Sequence, residues 1–362
     1  MKRTFTREIS YMGRAKSSDD SKSSDDSPHH NIITESHPNP MTPFETFLNQ
    51  PPFTLTEGSV YERLRRHASI EYDPYLAHAS LVYDTQAAAI LAQVHRNYLD
   101  VGQRYHLPMI ALTDTWRASR ERIARSRFSG CAVNQDNARF LCALRDEYPA
   151  GAAPIFIGGL LACRGDAYRP EEALSKDEAA AFHAPQAQAL AETDIDFLMA
   201  STLPAFSEAH GLAVAMAETG RPYALSFVLR PGGTLLDGTP LRRAVEEIDA
   251  TVARPPAGYF VNCVHPTVLQ AALTTSGFDQ STLRRRLIGF QANTSARSPE
   301  ELVGLTELET EAPTAFAASM TPIHERFGIP SLGGCCGTDT RHIDAIARSF
   351  LKNRDAEAPE PR

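Results

Sequence analysis

Beyond Pro51-Pro52 the chain alternates between short apolar runs and longer stretches in which apolar residues recur at three- and four-residue spacing. The short runs read as strands and the long ones as amphipathic helices, because one face of a strand repeats every second residue and one face of a helix about every 3.6 residues. Strands are expected at Phe53–Thr56, Pro108–Leu112, Pro154–Gly158, Asp196–Ala200, Tyr223–Val228, Tyr259–Asn262, Leu287–Gln291 and Ile329–Gly333. Helices are expected at Thr85–Tyr98, Ala138–Glu147, Lys176–Glu192, Glu208–Glu218, Leu241–Thr251 and Thr340–Leu351. Apolar strands separated by such helices imply parallel pairing through crossovers. Eight repeats predict a closed (β/α)8 barrel, with an open doubly wound sheet as the competing arrangement. Pro330, inside the last of these strands, cannot donate to a sheet ladder, an objection that a strand starting after it would answer.

From Met1 to about Thr42 there is no such periodicity. Ser, Asp, His, Asn and Pro dominate, and Lys-Ser-Ser-Asp-Asp-Ser occurs twice. So little apolar surface cannot offset the entropy of ordering the segment. The expected organisation is a disordered extension over 1–45, a barrel over 46–355 and a short tail over 356–362.

Composition narrows the function. Of 362 residues 42% are hydrophobic, ample for a buried core, and the formal charge of -8 argues against a surface built to track nucleic acid. The basic run Arg284-Arg285-Arg286 reads as a solvated helix end. No apolar segment is long enough to span a bilayer, and the polar N-terminus has no secretory h-region. Six cysteines in a chain of this size do not make a disulfide framework. Reduced thiols and a cytoplasmic location follow as expectations.

The chemistry is concentrated in Leu332-Gly333-Gly334-Cys335-Cys336-Gly337-Thr338 and in Tyr259-Phe260-Val261-Asn262-Cys263. On the barrel reading both cysteine motifs lie at the C-terminal ends of strands, six and eight, where barrel active sites collect. Adjacent cysteines in a regular strand point to opposite faces, so the flanking glycines are expected to mark the strand's end and let both sulfurs face one rim. Cys263, Cys335 and Cys336 would then form a three-thiolate zinc site with one open position. Two small buried apolar residues, or a vicinal disulfide between Cys335 and Cys336, are the alternatives. Cys131, Cys142 and Cys163 are assigned to structure, His265 to a loop, and His95 to the packed surface of a helix. A thiolate-rich zinc suits activation of another thiol better than activation of water.

Gly-Gly-Cys-Cys-Gly-Thr followed by His342-Ile343, together with Val261-Asn262-Cys263, resembles the zinc-binding signature of the homocysteine S-methyltransferase family. Other stretches resemble it in order: Leu55-Thr56-Glu57-Gly58, Val94-His95-Arg96-Asn97-Tyr98, Thr113 to Ser119, Thr202-Leu203-Pro204 with Glu208-Ala209, and Leu236 to Leu241. The resemblance implies a zinc-dependent barrel that methylates homocysteine to methionine. Cys263, Cys335 and Cys336 would hold the zinc, and Glu57, Gly58 and Thr115 would bind substrate. No catalytic side chain is implied beyond the zinc-activated substrate thiol. Where the family commonly has Glu-Thr after strand four this chain has Ser201-Thr202, which places Ser201 in the substrate pocket instead of a carboxylate.

The implied partners are homocysteine and an activated methyl donor, S-adenosylmethionine or S-methylmethionine; neither nucleic acid nor membrane is implied. Taken by themselves, Glu57 could cap a helix beginning near Ser59 and Thr115 could satisfy backbone at a strand end. Trp116 could stack on a donor or cover the rim. A non-catalytic barrel that binds zinc or a thiol metabolite as a sensor is the alternative function, suggested by Ser201 and the Ser-Asp segment.

Overall fold

The computed structural model describes residues 43–49, 53–65, 67, 69–275, 285–297 and 310–357. Eight strands, β1 (Thr54–Thr56), β2 (Met109–Leu112), β3 (Ile155–Ala162), β4 (Phe197–Leu203), β5 (Tyr223–Phe227), β6 (Gly258–Asn262), β7 (Leu287–Ala292) and β8 (Ser331–Gly334), form one closed ring in chain order. Every neighbouring pair is parallel, and β8 closes on β1 with Leu55 opposite Leu332. This is the (β/α)8 barrel expected from the alternation. β8 begins at Ser331, and Pro330 contributes its carbonyl alone, accepting from the Thr54 amide at 2.9 Å.

The helices are α1 (Pro43–Asn49), α2 (Val60–Leu64), α3 (Thr85–Tyr105), α4 (Arg120–Arg125), α5 (Val133–Arg145), α6 (Lys176–Ala191), α7 (Phe206–Glu218), α8 (Leu241–Thr251), α9 (Pro266–Thr275), α10 (Pro313–Phe327) and α11 (Thr340–Glu357). Their starts follow local chemistry. The Asp84 carboxylate accepts from the Ala87 amide at the head of α3, Ser59 accepts from Glu62 at α2, and Ser175 and Glu178 form a capping box at α6. Among the described residues no helix is long and apolar enough to cross a membrane.

Two layers of apolar side chains follow from the strand period. One set, including Leu55, Ala111, Leu198 and Leu225, joins the helices in the outer core. The other, including Ile110, Leu112, Phe156, Phe197, Met199 and Phe260, fills the barrel interior. Phe44 of α1 belongs to the interior set: it is 1% exposed, stacks on Phe197 at 4.0 Å and meets Phe156 edge-on at 5.6 Å. Because Phe197 opens β4 and Phe156 lies near the start of β3, Phe44 plugs the N-terminal mouth of the barrel. Helix α1 therefore straddles the expected boundary at residue 45. The expected extension lies, up to residue 42, outside the described residues, as do residues 358–362 of the expected tail.

Two smaller expectations change. Arg286 is not a solvated helix end: it is half-buried, reaches both oxygens of Asp249 at 2.7 Å and lies over the Tyr259 ring at 5.1 Å. Cys131 is exposed, whereas Cys142 and Cys163 are buried as structural thiols would be.

Phe44→Ala is expected to lower the stability of the barrel by about 3 kcal/mol, the usual cost of emptying a buried phenyl site, read as a shift in the urea unfolding midpoint.

Candidate active site

Cys263 is the first residue past β6, and Cys335 and Cys336 are the first two past β8. The strand has ended where the paired cysteines begin, and they open a turn in which Thr338 donates its amide and its hydroxyl to the Cys335 carbonyl at 3.2 and 2.6 Å. Gly337 takes the left-handed conformation this turn requires, at φ 83°. Gly333 serves close approach instead, because a Cβ there would overlap the Thr56 backbone of the neighbouring strand.

The three sulfurs converge. Cys263 Sγ lies 3.0 Å from Cys335 Sγ and 3.8 Å from Cys336 Sγ, all three within 4.8 Å of one another, and none is in a disulfide. Three thiolates bonded at about 2.3 Å to a tetrahedral zinc stand roughly 3.8 Å apart, so the cluster fits that ion after a small opening of one pair. Electrostatics agree. Hydrogen bonds from Cys335 and Cys336, and from the Tyr168 hydroxyl at 3.2 Å, favour the Cys263 thiolate and depress its pKa. Cys335 is correspondingly pushed up by that charge, and so is Cys336. A divalent ion among the sulfurs favours ionisation of all three.

Neighbouring backbone holds this geometry. Asn293 follows β7 and is buried; its Oδ1 accepts from the Cys336 amide at 3.0 Å and its Nδ2 donates to the Cys263 carbonyl at 2.9 Å. One amide side chain thus fixes both cysteine turns. The Cys335 amide donates to Ala292 O at 2.7 Å, and Cys263, left-handed at φ 58°, donates to Gln291 O at 3.1 Å. A second left-handed residue, Thr202 at φ 61°, marks a bulge near the end of β4. Asn262 holds it, accepting from the Thr202 amide at 3.0 Å and donating to its hydroxyl at 2.7 Å. The bulge leaves Ser201 on the cavity wall with its buried Oγ unpartnered among the described residues.

The sulfurs stand at one side of a cavity of about 320 Å³. Glu57 and Gly58, past β1, line it, as do Thr113 and Asp114 past β2. Glu57 is not the cap of α2, a role that falls to Ser59. Its Oε1 accepts from the Leu112 amide at 3.0 Å, and its Oε2 lies 3.4 Å from His95 Nδ1. Burial raises the Glu57 pKa and the nearby His95 only partly offsets this. His95 is fully buried, not on the helix surface, because α3 turns it inward onto Asp114 at 3.0 Å. Burial alone would lower the His95 pKa, but the Asp114 and Glu57 carboxylates outweigh it and bring it to about 10. Asp114 also receives His78 at 3.0 Å; burial works against its ionisation, yet the two histidines hold its carboxyl well below the usual range.

Thr115 does not line the cavity. It is 0% exposed and donates its hydroxyl to Leu160 O at 2.6 Å, so it satisfies backbone, while Thr113, two residues earlier and bonded to it at 2.7 Å, lines the wall. His265 stays out of the sulfur cluster, with Nδ1 at 2.8 Å from Thr267. Trp116 lines the cavity, its indole N–H donating to His78 Nδ1 at 3.3 Å.

A family model described as homocysteine S-methyltransferase matches residues 54–350. The chain belongs to the homocysteine S-methyltransferase family. Homocysteine S-methyltransferase YbgG of Bacillus subtilis is 26% identical over 328 residues, covering 85% of this chain and 97% of that protein. An S-methylmethionine–homocysteine S-methyltransferase of Mus musculus is 27% identical over 233 residues, 59% of each chain. The crystal structure of the homocysteine methyltransferase MmuM from Escherichia coli in its oxidised form superposes with a TM-score of 0.68 at 23% identity, covering 85% of this chain and all of that one, which supports the shared fold. The three-cysteine donor set is that of the zinc site this family's chemistry requires.

Within this homocysteine S-methyltransferase barrel, Asn293, Tyr168 and Asp114 are site residues that the sequence reading passed over. Asn293 carried a weak signal: it follows a strand flanked on both sides by strands that are followed directly by cysteine. Asn293→Ala removes both hydrogen bonds and is expected to weaken zinc binding about 10- to 100-fold, as loss of outer support for metal ligands usually does. Competition for zinc with a chromogenic chelator reads the change.

Proposed function

We propose that the protein methylates homocysteine to methionine using a compact sulfonium donor, S-methylmethionine in preference to S-adenosylmethionine. The observation that carries this reading is the meeting of three thiols and a buried carboxylate, Glu57, in one cavity. The volume of about 320 Å³ is at the small end of ligand sites, which favours two amino acids over an amino acid with an adenosyl donor.

A zinc ion held by Cys263, Cys335 and Cys336 would lower the pKa of a substrate thiol and so supply it as thiolate at neutral pH. Glu57 and the Ser201 hydroxyl, which both line the cavity, would receive the homocysteine ammonium and fix the direction of its chain. Tyr168 holds the Cys263 sulfur from above, and Trp116, Leu112 and Leu160 exclude water from the reacting carbon. The thiolate lone pair forms the new S–CH3 bond as the sulfonium C–S bond breaks, and that bond's electron pair stays on the departing sulfur. Homocysteine and S-methylmethionine each become methionine. One negative and one positive charge disappear, so a cavity poorer in water than bulk solvent favours the step. No side chain has to take a proton in it. Three reduced thiols also suit a cytoplasmic setting.

Zinc-loaded protein is expected to form two methionines per turnover from homocysteine and S-methylmethionine, and less from S-adenosylmethionine or betaine. Cys336→Ser should bring methionine below detection by chromatography. Stoichiometric zinc with no methionine from any of the three donors would overturn the reading.

A further inference from the structure

The charged side chains on the cavity wall are acidic except at one place. Glu57, Glu62, Asp114 and Asp166 line the cavity, and Arg117 is the one guanidinium among the described lining residues. Arg117 lies past β2, and in the closed ring β2 stands four strands from β6, directly across the barrel from Cys263. Its guanidinium lies 4.4 Å from the centre of the Trp116 ring, and one N–H donates to the Gly165 carbonyl at 3.0 Å. Among the described residues no carboxylate is in ion-pair contact with it. The nearby acids are otherwise engaged: Asp114 by His95 and His78, Asp166 by the Tyr168 amide, and Glu57 by Leu112 and His95. A half-buried cation fixed in plane by an aromatic ring, with donors to spare, is a ready partner for a carboxylate.

Building on the methyl transfer proposed above, we infer that Arg117 receives the carboxylate of the methyl donor and makes the enzyme select donors that carry one. The assignment to the donor, not to homocysteine, follows from the line of the reaction. The nucleophilic sulfur must lie at the cysteines past β6 and β8, with its ammonium near Glu57 on β1, the strand that pairs with β8. Attack in line carries the leaving sulfur away from the cysteines, toward the wall where Arg117 and Trp116 stand. Trp116 lines that side beside Arg117, and Arg117 holds the far end of the same molecule.

The test compares S-methylmethionine with its decarboxylated analogue, (3-aminopropyl)dimethylsulfonium, in the wild type, Arg117→Ala and Arg117→Lys, both as donors in turnover and as ligands in calorimetric titration of the zinc-loaded protein. The wild type is expected to prefer S-methylmethionine. Arg117→Ala should lower its kcat/KM about 10- to 100-fold, the usual weight of a charge-assisted pair, through the donor KM, with the homocysteine KM and the analogue unchanged. Arg117→Lys should recover part of the loss. Equal losses on both sulfonium compounds, or equal binding of the two by the wild type, would overturn the inference. Carboxylate-dependent binding without methyl transfer would uphold Arg117's role and sink the reaction instead.

Discussion

Three sulfurs separated widely along the chain are held within van der Waals reach of one another, and that close approach constrains everything around it. It requires β6, β7 and β8 to be parallel neighbours, because only then do β6 and β8 end on one rim with β7 between them. It requires β8 to stop at Gly334, so that Cys335 and Cys336 leave the strand alternation that would aim them apart. It also requires Asn293, whose two amide ends fasten one cysteine turn to the other. The backbone strain stored at Cys263 and Thr202 sits at this rim and not elsewhere in the strands, where a site pre-set for a ligand would place it.

Charge is arranged with the same economy. A metal ion answers the thiolates, and His95 answers two carboxylates from a fully buried position, keeping Asp114 ionised beside a pocket that Glu57 also lines. Ser201 stands in β4 where the resemblance implies a carboxylate, and the cavity keeps acidic groups in Glu57 and Asp114.

Much of this was legible in the sequence, for identifiable reasons. Strands such as Leu287–Ala292 announce themselves as apolar runs between polar helices, and Pro330 itself marks where β8 begins. The cysteines were legible because adjacent thiols between glycines have few bland explanations. What could not be read depends on the third dimension. Phe44 looks like one aromatic in a polar leader until the barrel mouth it fills is seen. His95 looks like a surface residue because the acids that bury it, Glu57 and Asp114, come from two other elements. Thr113 and Thr115 both follow β2, two residues apart, so sequence cannot say which of them meets the cavity and which meets Leu160. Tyr168 reaches Cys263 from a loop with no periodicity at all.

Zinc-edge X-ray absorption of the loaded protein, before and after homocysteine is added, tests the central claim most directly. Three sulfur ligands at about 2.3 Å with one lighter ligand, becoming four sulfurs when homocysteine binds, is the predicted result. A first shell containing histidine nitrogen, or three sulfurs that remain three with homocysteine at saturation, would contradict the account.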